Sequence, residues 1–301
     1  MPLTPSLAEK IEGVTGIVVS IIVWLLRYIV AIATLSAAAL VDAWHALIDA
    51  LTSAIVVAAS IYADRPADEE HPYGHGRALA LGSNIIGLVV VSIGAYLVYE
   101  TVQRYVTHEV SLLQGLSTLY VTVFALTGVV KLGQWYFAKY LGEKYNSRLC
   151  IADSKHHLAD GIITVFVTFS LVLTYITHVH LIDIAVALAI CGFIVREGVK
   201  IMRESSSILL DRTVPALAKK VIEVAKNVNG VREVKNVRVR DFGRYYVAEV
   251  DLLLDPSLSL REAHELAHKV EHEIKKRIPE IQHVHTHYAP EEKSDEKEQR
   301  H

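Results

Sequence analysis

The sequence predicts an α-helical membrane protein with six transmembrane helices, followed by a small cytoplasmic α+β domain of helix–strand–strand–helix–strand order. Three observations carry that prediction. Apolar runs far longer than a globular core helix needs are spread over the first two-thirds of the 301 residues. After Arg203 the chain turns charged and periodic. Lys and Arg gather in alternate loops, as expected of segments that cross a bilayer in turn. Residues 1–210 are read as the membrane part, 211–290 as the soluble domain and 291–301 as a charged, disordered tail.

The six predicted spans are Ile11–Ala33, Ala37–Tyr62, Leu79–Val106, Leu112–Ala138, Leu149–Ile176 and Ile182–Met202. The first is too long for a cleavable signal, and no small-residue cleavage site follows it. The loop after span two holds Arg65 and Arg77, and the loop after span four holds Lys139, Lys144 and Arg148. The opposite side has only Arg104, near the start of its loop, so both termini are expected in the cytoplasm. Arg27 lies inside span one, where facing the bundle interior or snorkelling are both open. Cys150 and Cys191 lie at or within spans and read as small apolar fillers, not as a disulfide framework. A formal net charge of -3 gives no sign of nucleic acid as a partner.

In the soluble domain, Ala216–Asn229 reads as a helix and Val231–Arg240 as a strand. Asp241-Phe242-Gly243-Arg244 turns the chain into a second strand, Tyr245–Asp255. Ser259 and Glu262 form a capping box ahead of a helix that runs to about Arg277. Leu260, Ala263, Leu266, Ala267, Val270 and Ile274 make its apolar face. Ile281–Tyr288 closes the domain as a third strand.

Two spans carry the chemistry. Asp42-x-x-His45-x-x-x-Asp49 in span two and Asp153-x-x-His156-x-x-x-Asp160 in span five repeat one arrangement of acid, imidazole and acid. Ionisable groups inside a membrane are costly, and by default they mark an ion or proton pathway. Offsets of three, four and seven residues fall on one helical face. His45, Asp49, His156 and Asp160 therefore offer two imidazoles and two carboxylates, a set suited to a tetrahedral divalent metal. Imidazole with carboxylate favours zinc or a similar borderline ion over magnesium, calcium or manganese. Protons compete with metal for imidazole near neutral pH, so metal–proton exchange is the simplest cycle such a site supports.

Spans two and five run in opposite directions, which places Asp42 on the outer side of the site and Asp153 on the cytoplasmic side. Each outlying acid is roughly 10 Å from the far acid of its own motif, too far for all six groups to bind one ion. Asp153 is expected to draw cations in and Asp42 to help release them; the alternative is that both orient the histidines from behind. An intramembrane metal-dependent hydrolase would want a His-Glu-x-x-His segment and a base within its spans, and the six spans contain no such segment and no evident base. A membrane-anchored metal sensor would need only an anchor, not six spans around a ligand set.

With these motifs the chain resembles the cation diffusion facilitator family. The stretch Pro66-Ala67-Asp68-Glu69-Glu70-His71-Pro72-Tyr73-Gly74-His75-Gly76-Arg77 is similarly typical of it. The resemblance implies a ferredoxin-like αββαβ cytoplasmic domain, a homodimer in the cell membrane, and export of divalent metal by alternating access, usually against protons. It implies zinc as the ion, because His45 stands where histidine goes with zinc preference; iron, cobalt, cadmium or manganese are the same-mechanism alternatives. Zinc is then both the transported ion and a regulatory one, and lipid, metal ions, protons and a second copy of the chain are the partners. The resemblance further implies a loop metal site at Asp68, His71 and His75, and a basic–acidic pair, Arg77 with Asp211, that ties the membrane and cytoplasmic parts together at the dimer interface. It places cytoplasmic ligands at Asp251, His264 and His287, with His285 a substitute from the same strand. Lys235 and Ala289 stand where some members have ligands. His283, His285 and His287 alternate onto one face of the last strand, while His264, His268 and His272 line one face of the preceding helix. His268 and His272 read as solvated.

Overall fold

The structure, a computed structural model, describes residues 5–107, 118–145 and 148–290. Among the described residues the elements in chain order are α1 (Pro5–Thr34), α2 (Ala37–Ala63), α3 (Ala78–Val106), α4 (Thr118–Tyr145), α5 (Arg148–Thr177), α6 (Leu181–Leu209), α7 (Pro215–Lys226), β1 (Val231–Asp241), β2 (Tyr246–Leu254), α8 (Leu260–Arg277) and β3 (Ile281–Pro290). They divide into two compact units, one of residues 1–57 and 85–202, the other of residues 58–84 and 203–301.

The first unit is a helical bundle whose polarity is inverted relative to a water-soluble one. Ile29, Phe166 and Phe169 are each about 60% exposed, whereas Arg27, Asp42 and Lys131 are almost fully buried. Helices with apolar outer surfaces and polar groups turned inward suit a hydrocarbon solvent, where every backbone group must be satisfied within its own segment. α1 to α5 are each long and apolar enough to cross a membrane. α6 is equally long but does not meet that measure, since Asp183 at one end and Arg196, Glu197 and Lys200 at the other shorten its apolar centre. The predicted fourth span also shifts. Its start at Leu112 lies outside the described residues, and α4 continues to Tyr145. Lys139, Glu143 and Lys144 are good helix formers, and Lys139 pairs with Glu143 one turn on, which prolongs the helix beyond its apolar part.

α2 is held at its start by a neighbour. Leu35 takes φ 56°, and Ser36 caps the helix by accepting from the Ala39 N–H at 3.0 Å. Asp183 of α6 accepts from the Ser36 hydroxyl at 2.6 Å and from the Ala37 N–H at 2.7 Å. A buried carboxylate at a helix N-terminus complements the helix dipole and satisfies two otherwise orphaned donors. This fixes the register of the helix that carries His45 and Asp49. Below it, α4 packs most extensively on α5, and α1 packs on α4. Phe124, Val167, Leu171 and Cys191 are completely buried in the bundle core.

The second unit contains a three-stranded sheet of order β1-β2-β3, with β1 antiparallel and β3 parallel to β2. α7 and α8 cover one face. Val221, Ala225, Val239, Val250, Leu252, Val270 and Ile274 fill the core between helices and sheet. The capping box forms as expected: the Ser259 N–H donates to Glu262 Oε2 at 2.8 Å, and the Glu262 N–H donates to Ser259 Oγ at 3.3 Å. Ala267, Val270 and Ile274 are buried along α8, with Ala263 and Leu266 packed beside them. Leu260 departs from the expected face: as the first residue of α8 it lies more than a full turn before the helix's buried stretch and is 78% exposed. The predicted tail 291–301 lies outside the described residues.

Candidate functional site

α2 and α5 bring their motifs together in the first unit. His45 Nε2 lies 3.4 Å from Asp160 Oδ1, and His156 Nε2 lies 3.5 Å from Asp49 Oδ1 and 3.8 Å from Asp160 Oδ2. One ligand atom each from His45, Asp49 and Asp160 falls within 4.8 Å of the others. Metal–ligand bonds of about 2.0–2.1 Å at tetrahedral angles put neighbouring ligand atoms about 3.3 Å apart. The two cross-helix imidazole–carboxylate contacts match that spacing. His156 is half exposed while Asp160 is buried, so the group opens to one side through His156.

A fifth side chain enters the cluster from α4. Lys131 is buried, with its Nζ 2.9 Å from Asp160 Oδ2 and 3.8 Å from Asp49 Oδ2. Sequence reading misses it: one lysine in an apolar span has no periodic signal, although its burial in a span is itself a default mark of function.

The two outlying acids part company. Asp42 pairs with Arg27 at 2.9 Å, both side chains 1% exposed. Arg27 also donates from Nε to Thr127 Oγ1 at 3.2 Å and from Nη2 to Thr164 Oγ1 at 2.6 Å. Arg27 thus faces the bundle interior and joins α1, α2, α4 and α5, instead of snorkelling. Asp42 is held by a guanidinium and is not the unengaged acid that a release step would use. Asp153 stands within hydrogen-bonding reach of Glu12 on α1. Glu12 also meets His157 Nε2 at 3.3 Å, and both are buried. Neither Glu12 nor His157 stands out in the sequence, since their partnership joins residues 145 positions apart.

In the second unit the loop residues converge. Asp68 Oδ1 is 3.3 Å from His71 Nδ1, and Asp68 Oδ2 is 3.4 Å from His75 Nε2. These three residues also offer ligand atoms within 4.8 Å of one another. The Pro66 carbonyl lies 3.2 Å from His75 Nδ1, which turns Nε2 toward Asp68, the usual way a backbone carbonyl orients a ligating imidazole. The His71 N–H donates to Asp68 Oδ1 at 2.6 Å. That hydrogen bond, with the His75 and His71 rings nearby, holds the Asp68 carboxyl below the usual carboxylate range. Gly76 and Gly243 let the loop lie directly on the β1–β2 turn: a Cβ at Gly76 would sit 2.1 Å from the Phe242 carbonyl oxygen. Gly243 additionally takes φ 82°.

Arg77 pairs with Asp211 and stacks over the Phe242 ring at 4.3 Å. Asp211 is presented by the end of α6. It takes φ 57°, and the following Arg212 N–H donates to Ser207 O at 3.0 Å, closing a Schellman turn.

The cytoplasmic candidates do not assemble in one chain. Asp251 is the register partner of His287, and Glu249 that of His285. Both pairs lie on the sheet face away from the helices, opposite to core residues Val250 and Leu252. His264 is on α8 and lines a hollow with Leu260, Arg261 and Tyr288. Tyr288 alternates with His287, so His264 and the His285–His287 row lie on opposite faces of the sheet. Asp251 accepts from Asn236 Nδ2 at 3.0 Å, and Glu249 pairs with Arg240.

The model of the cation efflux transmembrane domain matches residues 14–210, and that of the cation efflux cytoplasmic domain matches residues 215–291. The chain belongs to the cation efflux family, the cation diffusion facilitators. Among curated relatives, the manganese efflux system protein MneP of Bacillus subtilis is 26% identical over 265 residues, spanning 85% of this chain and 87% of MneP. The magnetosome protein MamM of Magnetospirillum gryphiswaldense is 26% identical over 274 residues, 91% of this chain and 86% of MamM. Metal tolerance protein 2 of rice is 30% identical over 278 residues, 84% of this chain and 71% of that protein. A solved copper form of a MamM CTD variant is 28% identical and spans 26% of this chain and 98% of its own, at a TM-score of 0.25. As a cation efflux family member, this chain is a multi-pass membrane transporter of divalent metal and not an enzyme, and it carries the family's dimerisation domain.

Proposed function

We propose that this cation efflux protein exports zinc from the cytoplasm in exchange for protons, as a homodimer in the cell membrane with both termini cytoplasmic. The observation that carries the reading is the pair of cross-helix imidazole–carboxylate contacts, 3.4 and 3.5 Å, between α2 and α5. Two imidazoles and two carboxylates, joined by two contacts near tetrahedral spacing, suit zinc better than an oxygen-preferring ion; His45, Asp49 and Asp160 form the tighter group, with His156 at its open side. Each contact joins one helix to the other, so a small relative movement of α2 and α5 breaks the ligand set and frees the ion. Alternating access then needs no separate release device. Protons arriving at the imidazoles displace metal, because ligation requires the neutral ring.

In this reading residues 1–210 transport, and residues 211–290 join the two copies. Asp68, His71 and His75 form an auxiliary metal site, and the Arg77–Asp211 pair ties the two parts of the chain. Asp251 with His287, and Glu249 with His285, are positioned for a metal shared with the second copy across the open sheet face, while His264 stands apart. Manganese is the second reading, since MneP is named as a manganese efflux protein.

Purified protein in liposomes, loaded with a zinc or manganese indicator and given an imposed pH gradient, tests both. Zinc flux that scales with the gradient and exceeds manganese flux supports the proposal. Flux independent of the gradient would remove proton coupling, and manganese flux exceeding zinc flux would replace the ion.

A further inference from the structure

Lys131 places a positive charge where the transported cation would sit. Its ammonium contacts both carboxylates of the site, Asp160 at 2.9 Å and Asp49 at 3.8 Å. The side chains of Lys131, Asp160 and Asp49 are only 1%, 2% and 12% exposed. Two carboxylates this close and this buried repel each other strongly unless a cation lies between them. The Lys131 ammonium stands against both of them.

We propose that Lys131 is a tethered counter-ion: it fills the transport site of the metal-free carrier and swings out when metal enters. The inference rests on the transport-site reading above and adds the state of the empty carrier. Lysine suits the task, being a compact point charge on a flexible four-carbon stem, where arginine is a planar fork. The exchange proposed is one of position. A receiving group stands on the same helix. Gln134, one turn along α4, has a buried side-chain oxygen with no hydrogen-bond partner among the described residues. An unsatisfied buried acceptor beside a mobile ammonium donor is where that donor goes when displaced.

Two consequences follow. The empty site is neutralised enough to cross between its two faces, which a bare pair of acids in a low-dielectric interior resists. Apparent metal affinity is also reduced by the fraction of empty carriers that the ammonium occupies. Occupancy of about 90–99% weakens it about tenfold to hundredfold.

The test compares net zinc flux with zinc–zinc exchange in liposomes, for the native chain, Lys131→Gln, Lys131→Arg and Gln134→Leu. Exchange binds zinc at the empty site but never needs the empty carrier to cross between its two faces, whereas net flux does. Lys131→Gln is expected to lower the half-saturating zinc concentration for exchange by about tenfold or more, and to depress net flux far more than exchange. Lys131→Arg, which keeps the charge, is expected to retain more net flux than Lys131→Gln. Gln134→Leu, which leaves the ion cluster intact, is expected to raise half-saturation. Half-saturation unchanged or raised in Lys131→Gln would overturn the proposal, as would equal loss of exchange and net flux in both lysine variants. A native chain that carries no zinc would instead sink the functional reading, and the two failures are therefore distinct.

Discussion

Arg27 and Asp42 give the sharpest structural prediction. Their side chains are 1% exposed and 2.9 Å apart, and Arg27 makes two further hydrogen bonds, to Thr127 and Thr164. Removing one member of such a pair leaves a buried, uncompensated charge, which costs about 3–5 kcal/mol. Removing both members costs less, because no orphan charge remains and apolar replacements of similar size fit the same space. Asp42→Leu and Arg27→Met are each expected to destabilise by that amount, and the double variant by much less than their sum. For a unit of this size, roughly 2–4 °C of melting temperature accompanies each kcal/mol. Each single variant should therefore melt roughly 6–20 °C below the native chain. Thermal unfolding in detergent, read by the fluorescence of Trp24, Trp44 and Trp135, measures all four corners of the cycle. Additive single effects, or an Asp42→Leu chain that melts like the native one, would refute the ion-pair account and return Asp42 to the role of an accessible flanking acid.

Three further outcomes can be checked. His45→Asp replaces an imidazole by an oxygen ligand, and should shift the zinc-to-manganese flux ratio toward manganese; an unchanged ratio would remove His45 as the selector. Asp153→Asn should raise half-saturating zinc for uptake on the cytoplasmic side, while leaving the saturated rate closer to native; no change would leave Asp153 without an uptake role. In α8 the Ser259 hydroxyl and N–H hold the Glu262 carboxyl below its ordinary value. A depressed carboxyl stabilises the fold above the ordinary glutamate range, about 4.3, and that contribution is lost as pH falls through the lowered value. Carbon-13 titration of Glu262 should therefore give a midpoint below the ordinary value, and Ser259→Ala should raise it while costing about 1 kcal/mol of helix stability. A midpoint that Ser259→Ala leaves in place would contradict the capping box.

How much was legible in advance follows from the range of each interaction. The acid–imidazole repeat, the capping box and the order of the soluble elements are local patterns, written within a few residues of one another. Their helices and strands form as the spacing implies. Arg27 with Thr164, Lys131 with Asp160, Glu12 with His157 and Asp183 with Ser36 are joined only by packing, across 29 to 147 positions. No local period announces such partners. What could have pointed to them is cost: a charge in an apolar span needs a counter-charge, and pairing each intramembrane cation with a nearby acid is the search that was open. The cytoplasmic candidates failed to converge for a different reason. Alternation puts His285 and His287 on the open sheet face, and the position of Tyr288 beside His264 shows that the helix lies on the other.

The central claim is that His45, Asp49, His156 and Asp160 hold the transported ion. Zinc flux into liposomes under an imposed pH gradient, for the native chain and Asp49→Ala matched for folded protein, tests it most directly. The account predicts proton-driven zinc flux in the native chain and its loss in Asp49→Ala. Undiminished flux in Asp49→Ala would contradict it.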